Sequence, residues 1–272
     1  MKQNVGSIQL YYEIHGDQGD NKRPWVVFSH SLACTTDMWR PQTETFARTH
    51  RVLLFDTRGH GRSEAPHGPY TMEALGQDTF ELLSALAIDR AHFVGLSMGG
   101  MIGQELALKH PDRIASLTIA DSTSRWPSDA IELFAGRARQ AAEQGMDSLV
   151  EATLGRWFTP AFHESNPEDV ARIGDMVRNT PITGYAGCSY AIPRINYTHR
   201  LKEISCPVLV LVGAEDIGTV PALSHEIHEN CPGSELLEID SASHLSNVEQ
   251  PEVFNKALSS FLKRNQGPVV LA

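Results

Sequence analysis

A serine stands between glycines in the run Gly95-Leu96-Ser97-Met98-Gly99. The apolar, β-rich residues 92–96 lead into it and an apolar helical pattern leads out. The serine is therefore expected on a sharp strand–turn–helix corner. Glycines suit such a corner because a side chain there would meet neighbouring backbone. The serine oxygen then projects beside a helix N-terminus, whose dipole favours developing negative charge. These residue types at this spacing fit a nucleophile that attacks a carbonyl carbon.

A neutral hydroxyl needs a base, and the base needs an acid that fixes its tautomer and stabilises the imidazolium. Among twelve histidines, His244 is the expected base. It follows the strand-like run 234–240 and precedes a helix, on a loop where open α/β sheets carry their chemistry. His199, His225 and His228 read as surface residues, and His110 as the residue closing the helix after the serine. His60 and His67 fall in a loop that could lie near the site, but its glycines suggest a structural turn. Asp216 is the expected acid, because it follows the apolar run 207–213 and lies between serine and histidine in chain order. Glu215 is its substitute, and Asp121, at the end of 117–120, the second choice. Two backbone N–H groups are needed to hold an oxyanion. Met98, directly after the serine, is one expected donor. Leu32, preceded by Ser31 in the loop after residues 25–29, is the other.

Positioning these groups calls for alternating strands and helices. Short β-rich runs occur at 25–29, 52–56, 92–96 and 117–120, and the alternation returns at 206–216. Residues 70–88 place Leu75, Phe80, Leu82, Leu83 and Leu86 along a helical face, while Ile8, Leu10 and Tyr12 alternate as in a strand. This order predicts an α/β fold: a mostly parallel twisted sheet flanked by helices. After Asp121 the strands stop. A helix is expected to begin with the cap signal Ser128-Asp129 and close at Gly145, and another to open at Asn166-Pro167-Glu168-Asp169. The chain thus divides into core segments 1–122 and 201–272 and a helical insertion at 123–200, expected to lie over Ser97 as a lid. The tail 265–272 reads as loose.

The chain has 272 residues, 41% of them hydrophobic, enough to bury a full core. Its net charge of −10, with no basic stripe, argues against a nucleic-acid partner. No apolar run is long enough to span a bilayer and the first residues lack a signal-peptide pattern, so a cytoplasmic protein without membrane contact is expected. Cys34, Cys188, Cys206 and Cys231 are scattered and read as reduced, buried thiols. Neither a metal cluster nor a phosphate loop stands out, so no cofactor and no metal are expected. Assembly as a homo-oligomer is compatible with the sequence.

The motifs "HSL", "DTRGHGRSE", "GLSMGG", "GAED" and "SHLSNVEQPEVFN" make the chain resemble an α/β-hydrolase along nearly its full length. More narrowly, "SHSLACTTDMWRPQ", "DTRGHGRSEAPHGPYTMEALGQD" and "LGRWFTPAF" resemble the 3-oxoadipate enol-lactonases. The resemblance implies Ser97, Asp216 and His244 as a catalytic triad, and Leu32 and Met98 as the oxyanion donors. It implies hydrolysis of a small-molecule ester or lactone. One stretch departs: members commonly carry an arginine and acidic residues where this chain reads "AIPRINYTHRL" at 191–201.

The insertion holds eight arginines and no lysine: Arg125, Arg137, Arg139, Arg156, Arg172, Arg178, Arg194 and Arg200. Arginine suits a substrate carboxylate through two parallel hydrogen bonds. Arg194, in the divergent stretch, is the first expected contact, and Trp126, Trp157 and Tyr190 are expected to pack the lid or wall the pocket. Competing functions on the same scaffold are a general carboxylesterase or other lactonase, a C–C bond hydrolase, a perhydrolase, and a ligand receptor without turnover.

Overall fold

The computed structural model describes residues 1–16 and 23–265. The chain begins with β1 (Lys2–Val5), β2 (Ile8–His15), β3 (Trp25–Ser29), α1 (Arg40–Phe46) and β4 (Arg51–Phe55). Next come α2 (Met72–Ala85), β5 (Ala91–Leu96), α3 (Met98–Lys109) and β6 (Ile114–Ala120). Five helices follow with no named strand among them: α4 (Ala130–Gln144), α5 (Asp147–Trp157), α6 (Pro160–Ser165), α7 (Pro167–Asn179) and α8 (Ile182–Ala191). β7 (Val208–Gly213), α9 (Pro221–Asn230), β8 (Glu235–Ile239), α10 (Ser246–Glu249) and α11 (Pro251–Arg264) complete it. The expected loose tail lies outside the described residues from 266 onward.

The strands form one sheet in the order β1-β2-β4-β3-β5-β6-β7-β8. β2 runs antiparallel to β1 and β4, and every later pairing is parallel. This is the α/β architecture expected from the alternation of runs. β5 and β7 are buried at every position, as strands covered on both faces must be. The edge strand β8 exposes Glu235 and Glu238, charges that discourage pairing with another sheet.

Helix α2 starts where the Thr71 hydroxyl accepts the Ala74 N–H, and it buries Leu75, Leu82 and Leu83. Phe80 and Leu86 pack at the margin of the core, Phe80 stacked 3.9 Å from the ring of His110. Helix α4 closes at Gly145 with φ +81°, but the Asp129 side chain makes no capping bond. The two ends of the helical insertion meet: Arg125 bridges Asn196, and Tyr197 N–H donates to the Ser124 carbonyl at 2.8 Å. No helix among the described residues is long and apolar enough to cross a membrane.

Candidate active site

Ser97 sits between β5 and α3 with φ +56° and ψ −116°, a conformation that strains any residue with a side chain. The corner is held from both sides. Ser97 N–H donates to the Ala120 carbonyl at 2.8 Å, and the Ser122 hydroxyl donates to the Ser97 carbonyl at 2.7 Å. The glycines of the motif are required sterically. A Cβ on Gly95 would lie 2.1 Å from the Gly99 carbonyl oxygen, and one on Gly99 would lie 2.1 Å from the Ser29 carbonyl oxygen. The corner is thus wedged against the end of β3.

His244 lies between β8 and α10, and its Nδ1 donates to Asp216 Oδ2 at 2.8 Å. Asp216 follows β7 and is fully buried. Its Oδ1 accepts Gly218 N–H at 2.7 Å and Thr219 N–H at 2.9 Å, and the Thr219 hydroxyl lies 2.7 Å from Oδ2. Those donors fix the carboxylate and so aim the imidazole. Ser97 and His244 line one cavity of about 160 Å³. Its walls include Trp126, Phe134, Trp157 and Ile192, with Met101 and Leu32 below. Trp157 stacks on the His244 ring at 6.1 Å, and its carbonyl accepts Leu245 N–H at 3.1 Å.

The other acids take different places. Asp121 accepts Gly213 N–H at 2.7 Å and the Ser246 hydroxyl at 2.5 Å, and does not reach His244. Burial, and then the nearby Asp216 charge, push its carboxyl well above the usual range. Glu215 is exposed. Glu249 is buried, and one of its carboxylate oxygens accepts both the N–H and the hydroxyl of Thr159 at 2.8 Å. Its other oxygen accepts the N–H of Ser243, the neighbour of His244.

The loop after β3 rests on two buried histidines. His30 Nε2 accepts Thr57 N–H at 2.9 Å, and His60 Nε2 accepts Ala33 N–H at 3.0 Å. Their Nδ1 atoms donate to the carbonyls of Ser31 and Arg58. His60 is thus a support beneath this loop, while His67 is exposed. Ala33 takes φ +61°, which turns the chain sharply after Leu32. In the turn and cap hydrogen bonds of the described residues, neither Leu32 N–H nor Met98 N–H has an acceptor.

Two expected pocket residues lie elsewhere. Arg194 is exposed, its guanidinium 3.5 Å over the Tyr190 ring and bonded to the Tyr190 carbonyl at 2.6 Å. Both line a separate cleft with Tyr70 and Tyr197. The cause is the 3₁₀ turn Ile192–Arg194 after α8, which gives Ile192 to the cavity and leaves Arg194 outside. The cavity's arginines are Arg137 and Arg156 instead. Nothing local in the sequence separates these two from the other six. Thr219, Glu249 and His30 were also not singled out, since each is tied in part to a distant segment: to the Asp121 carbonyl, Thr159 and Thr57 respectively.

A family model for the alpha/beta hydrolase fold matches residues 24–251. The chain belongs to the α/β-hydrolase family and is a hydrolase. It is 38% identical, over 90% of its length and 91% of the relative's, to 3-oxoadipate enol-lactonase 2 of Acinetobacter baylyi. Its structure is similar to the enol-lactonase of Burkholderia xenovorans, with TM-score 0.93 and 39% identity over 97% of this chain and 100% of that one. It is also similar to a thermophilic esterase of Thermogutta terrifontis, with TM-score 0.91 and 28% identity over 98% and 99% of the two chains.

Proposed function

We propose that the protein hydrolyses a carboxylic ester or lactone through an acyl-enzyme on Ser97, and that its substrate is 3-oxoadipate enol-lactone. The observation that carries the reading is the 2.8 Å pairing of His244 with a buried, fully hydrogen-bonded Asp216, on a cavity that Ser97 also lines. His244 Nε2 takes the Ser97 proton as the oxygen attacks the lactone carbonyl. Leu32 N–H and Met98 N–H hold the oxyanion. The ring C–O bond breaks, the departing enol oxygen takes the proton from His244, and the enol becomes a ketone while still tethered in the acyl group. Water, deprotonated by His244, then cleaves the Ser97 ester. An enolate is a stabilised leaving group, so acylation of an enol-lactone is easier than that of a simple alkyl lactone. Helices α4–α8 act as a lid over the site, limiting the water that reaches the acyl-enzyme. The 3-oxoadipate enol-lactonase name of two similar Acinetobacter baylyi proteins, and the enol-lactonase name of the similar Burkholderia structure, support the substrate.

The test is ultraviolet-monitored loss of freshly generated enol-lactone, beside a short-chain aryl ester, with wild type and Ser97→Ala. Fast, Ser97-dependent loss of the lactone with slow ester turnover supports the reading. Ester turnover without lactone turnover makes the enzyme a carboxylesterase, and activity retained by Ser97→Ala removes the serine mechanism.

A further inference from the structure

Six of the eight arginines of the insertion are engaged away from the cavity. Arg125 pairs with Glu226, Arg139 with Glu132, and Arg200 with Glu203. Arg172 holds Asp169 and Asp37, Arg178 holds Asp147 and Asp175, and Arg194 covers Tyr190. The remaining two, Arg137 of α4 and Arg156 of α5, both line the Ser97 cavity. The ion pairs of the described residues include neither of them. Arg156 has one uncharged side-chain partner, the Thr153 hydroxyl at 3.2 Å. Arg137 lies 5.4 Å from the Phe134 ring centroid.

The two guanidiniums also feel each other. Burial lowers the pKa of Arg156, and the charge of Arg137 lowers it further. Both pull down the Tyr185 phenol, a third lining residue, against the upward effect of its burial. Two like charges beside a small apolar cavity, in a chain of net charge −10, form an arrangement that an anion completes. Resting on the hydrolase reading above, we infer that Arg137 and Arg156 together receive a carboxylate of the substrate, so that the enzyme selects small esters or lactones bearing a free acid and disfavours neutral ones. The cavity bounds the size: about 160 Å³ holds a short acyl chain ending in a carboxylate. Planar guanidiniums can grip such a group by parallel hydrogen bonds.

The test compares mono(4-nitrophenyl) glutarate with its neutral isostere, 4-nitrophenyl 5-methylhexanoate, in wild type, Arg137→Met, Arg156→Met and Arg194→Met. Each of the first two substitutions should lower the acid-over-neutral ratio of kcat/KM by roughly tenfold to hundredfold, mainly through KM, as loss of a charge-assisted hydrogen bond does. Arg194→Met should leave the ratio unchanged. A ratio unmoved by both pocket substitutions, or moved equally by Arg194→Met, overturns the inference. Calorimetry on Ser97→Ala reads the same site without turnover. Monomethyl glutarate should bind more tightly than dimethyl glutarate, with that advantage lost in the Arg137→Met and Arg156→Met backgrounds. Equal binding of the two glutarates overturns the carboxylate site even if Ser97 hydrolyses esters. Arginine-dependent binding upholds it even if the hydrolysis reading fails.

Discussion

The backbone N–H of Ala33 ends on Nε2 of His60, 3.0 Å away. That acceptor exists only while the ring is neutral, since an imidazolium carries hydrogen on both nitrogens. His30 is in the same position toward Thr57. Burial holds His30 down at about 4, and burial together with the neighbouring His30 holds His60 at about 3, both from an ordinary 6.5. Folded values below the unfolded one mean that the unfolded chain takes up protons first. The stability these groups contribute is complete above pH 6.5 and is lost as pH falls toward 4 and 3. Urea unfolding should therefore weaken steeply below pH 6, by up to about 1.4 kcal/mol per pH unit for each histidine. His60→Gln, whose amide oxygen can accept the Ala33 N–H, should remove one such share of the slope. An unchanged slope would show that His60 is not one of the groups responsible.

Asp121 and Asp216 should separate by activity and by pH. Asp216→Asn leaves His244 without its acid and should lower kcat by about 10⁴-fold. Asp121→Asn should change kcat far less, because Asp121 is bonded to Gly213 and Ser246 and not to the imidazole. Burial raises the folded value of Asp121, so its stabilising contribution is complete below the unfolded carboxylate range and is lost as pH rises. Asp121→Asn, a permanent neutral mimic, should accordingly gain stability over wild type at pH 8 and not at pH 4. A parallel pair of unfolding curves across that range would contradict this.

Ser97 at φ +56° is a strained residue. Ser97→Gly should abolish ester and lactone turnover and yet stabilise the fold by about 1 kcal/mol, since glycine adopts this conformation without a Cβ penalty. The thermal midpoints of Ser97→Gly and Ser97→Ala decide it. The alanine variant keeps the strain, so the glycine variant should melt higher.

Glu249→Gln should weaken both the fold and the base. Ser243 N–H and the two Thr159 donors converge on this carboxylate. Converting one oxygen to NH₂ sets a donor against a buried donor, a loss of about 1–3 kcal/mol in unfolding free energy. The variant's kcat should fall with KM little changed, because His244 follows Ser243 directly. A stability loss with kcat intact would confine Glu249 to the fold.

The groups brought together around the cavity were legible where the signal is local. Ser97 and Asp216 each follow an apolar strand run and His244 a strand-like one, and their order in the chain fits one known arrangement. Asp56 was read as the end of a strand. It leaves the strand because its carboxylate accepts Thr36 N–H and Arg62 N–H at 2.8 and 2.9 Å. Strand β6 begins at Ile114, earlier than the apolar run suggests, since the buried Ser116 is satisfied by His92 at 2.7 Å. Arg137 and Arg156 were visible as arginines. Their lack of an ion pair was not, because it depends on the folded positions of the five arginines that hold carboxylates and of Arg194 on Tyr190. Arg194 attracted notice by its position in the chain, and one 3₁₀ turn carries it outside.

The end of α5 is sewn to the loop that bears the base. Leu245 N–H reaches the Trp157 carbonyl, the Ser243 hydroxyl reaches the Arg156 carbonyl at 3.0 Å, and Thr159 is fastened to Glu249. At the rim of the same cavity, Leu133 of α4 and Ile217 after β7 are 50% and 65% exposed. One margin of the helical layer is thus a seam of hydrogen bonds, and another presents apolar side chains to solvent. Solvent meets the cavity at the Leu133–Ile217 margin, while Trp157 backs His244 from a segment tied to the base's own loop.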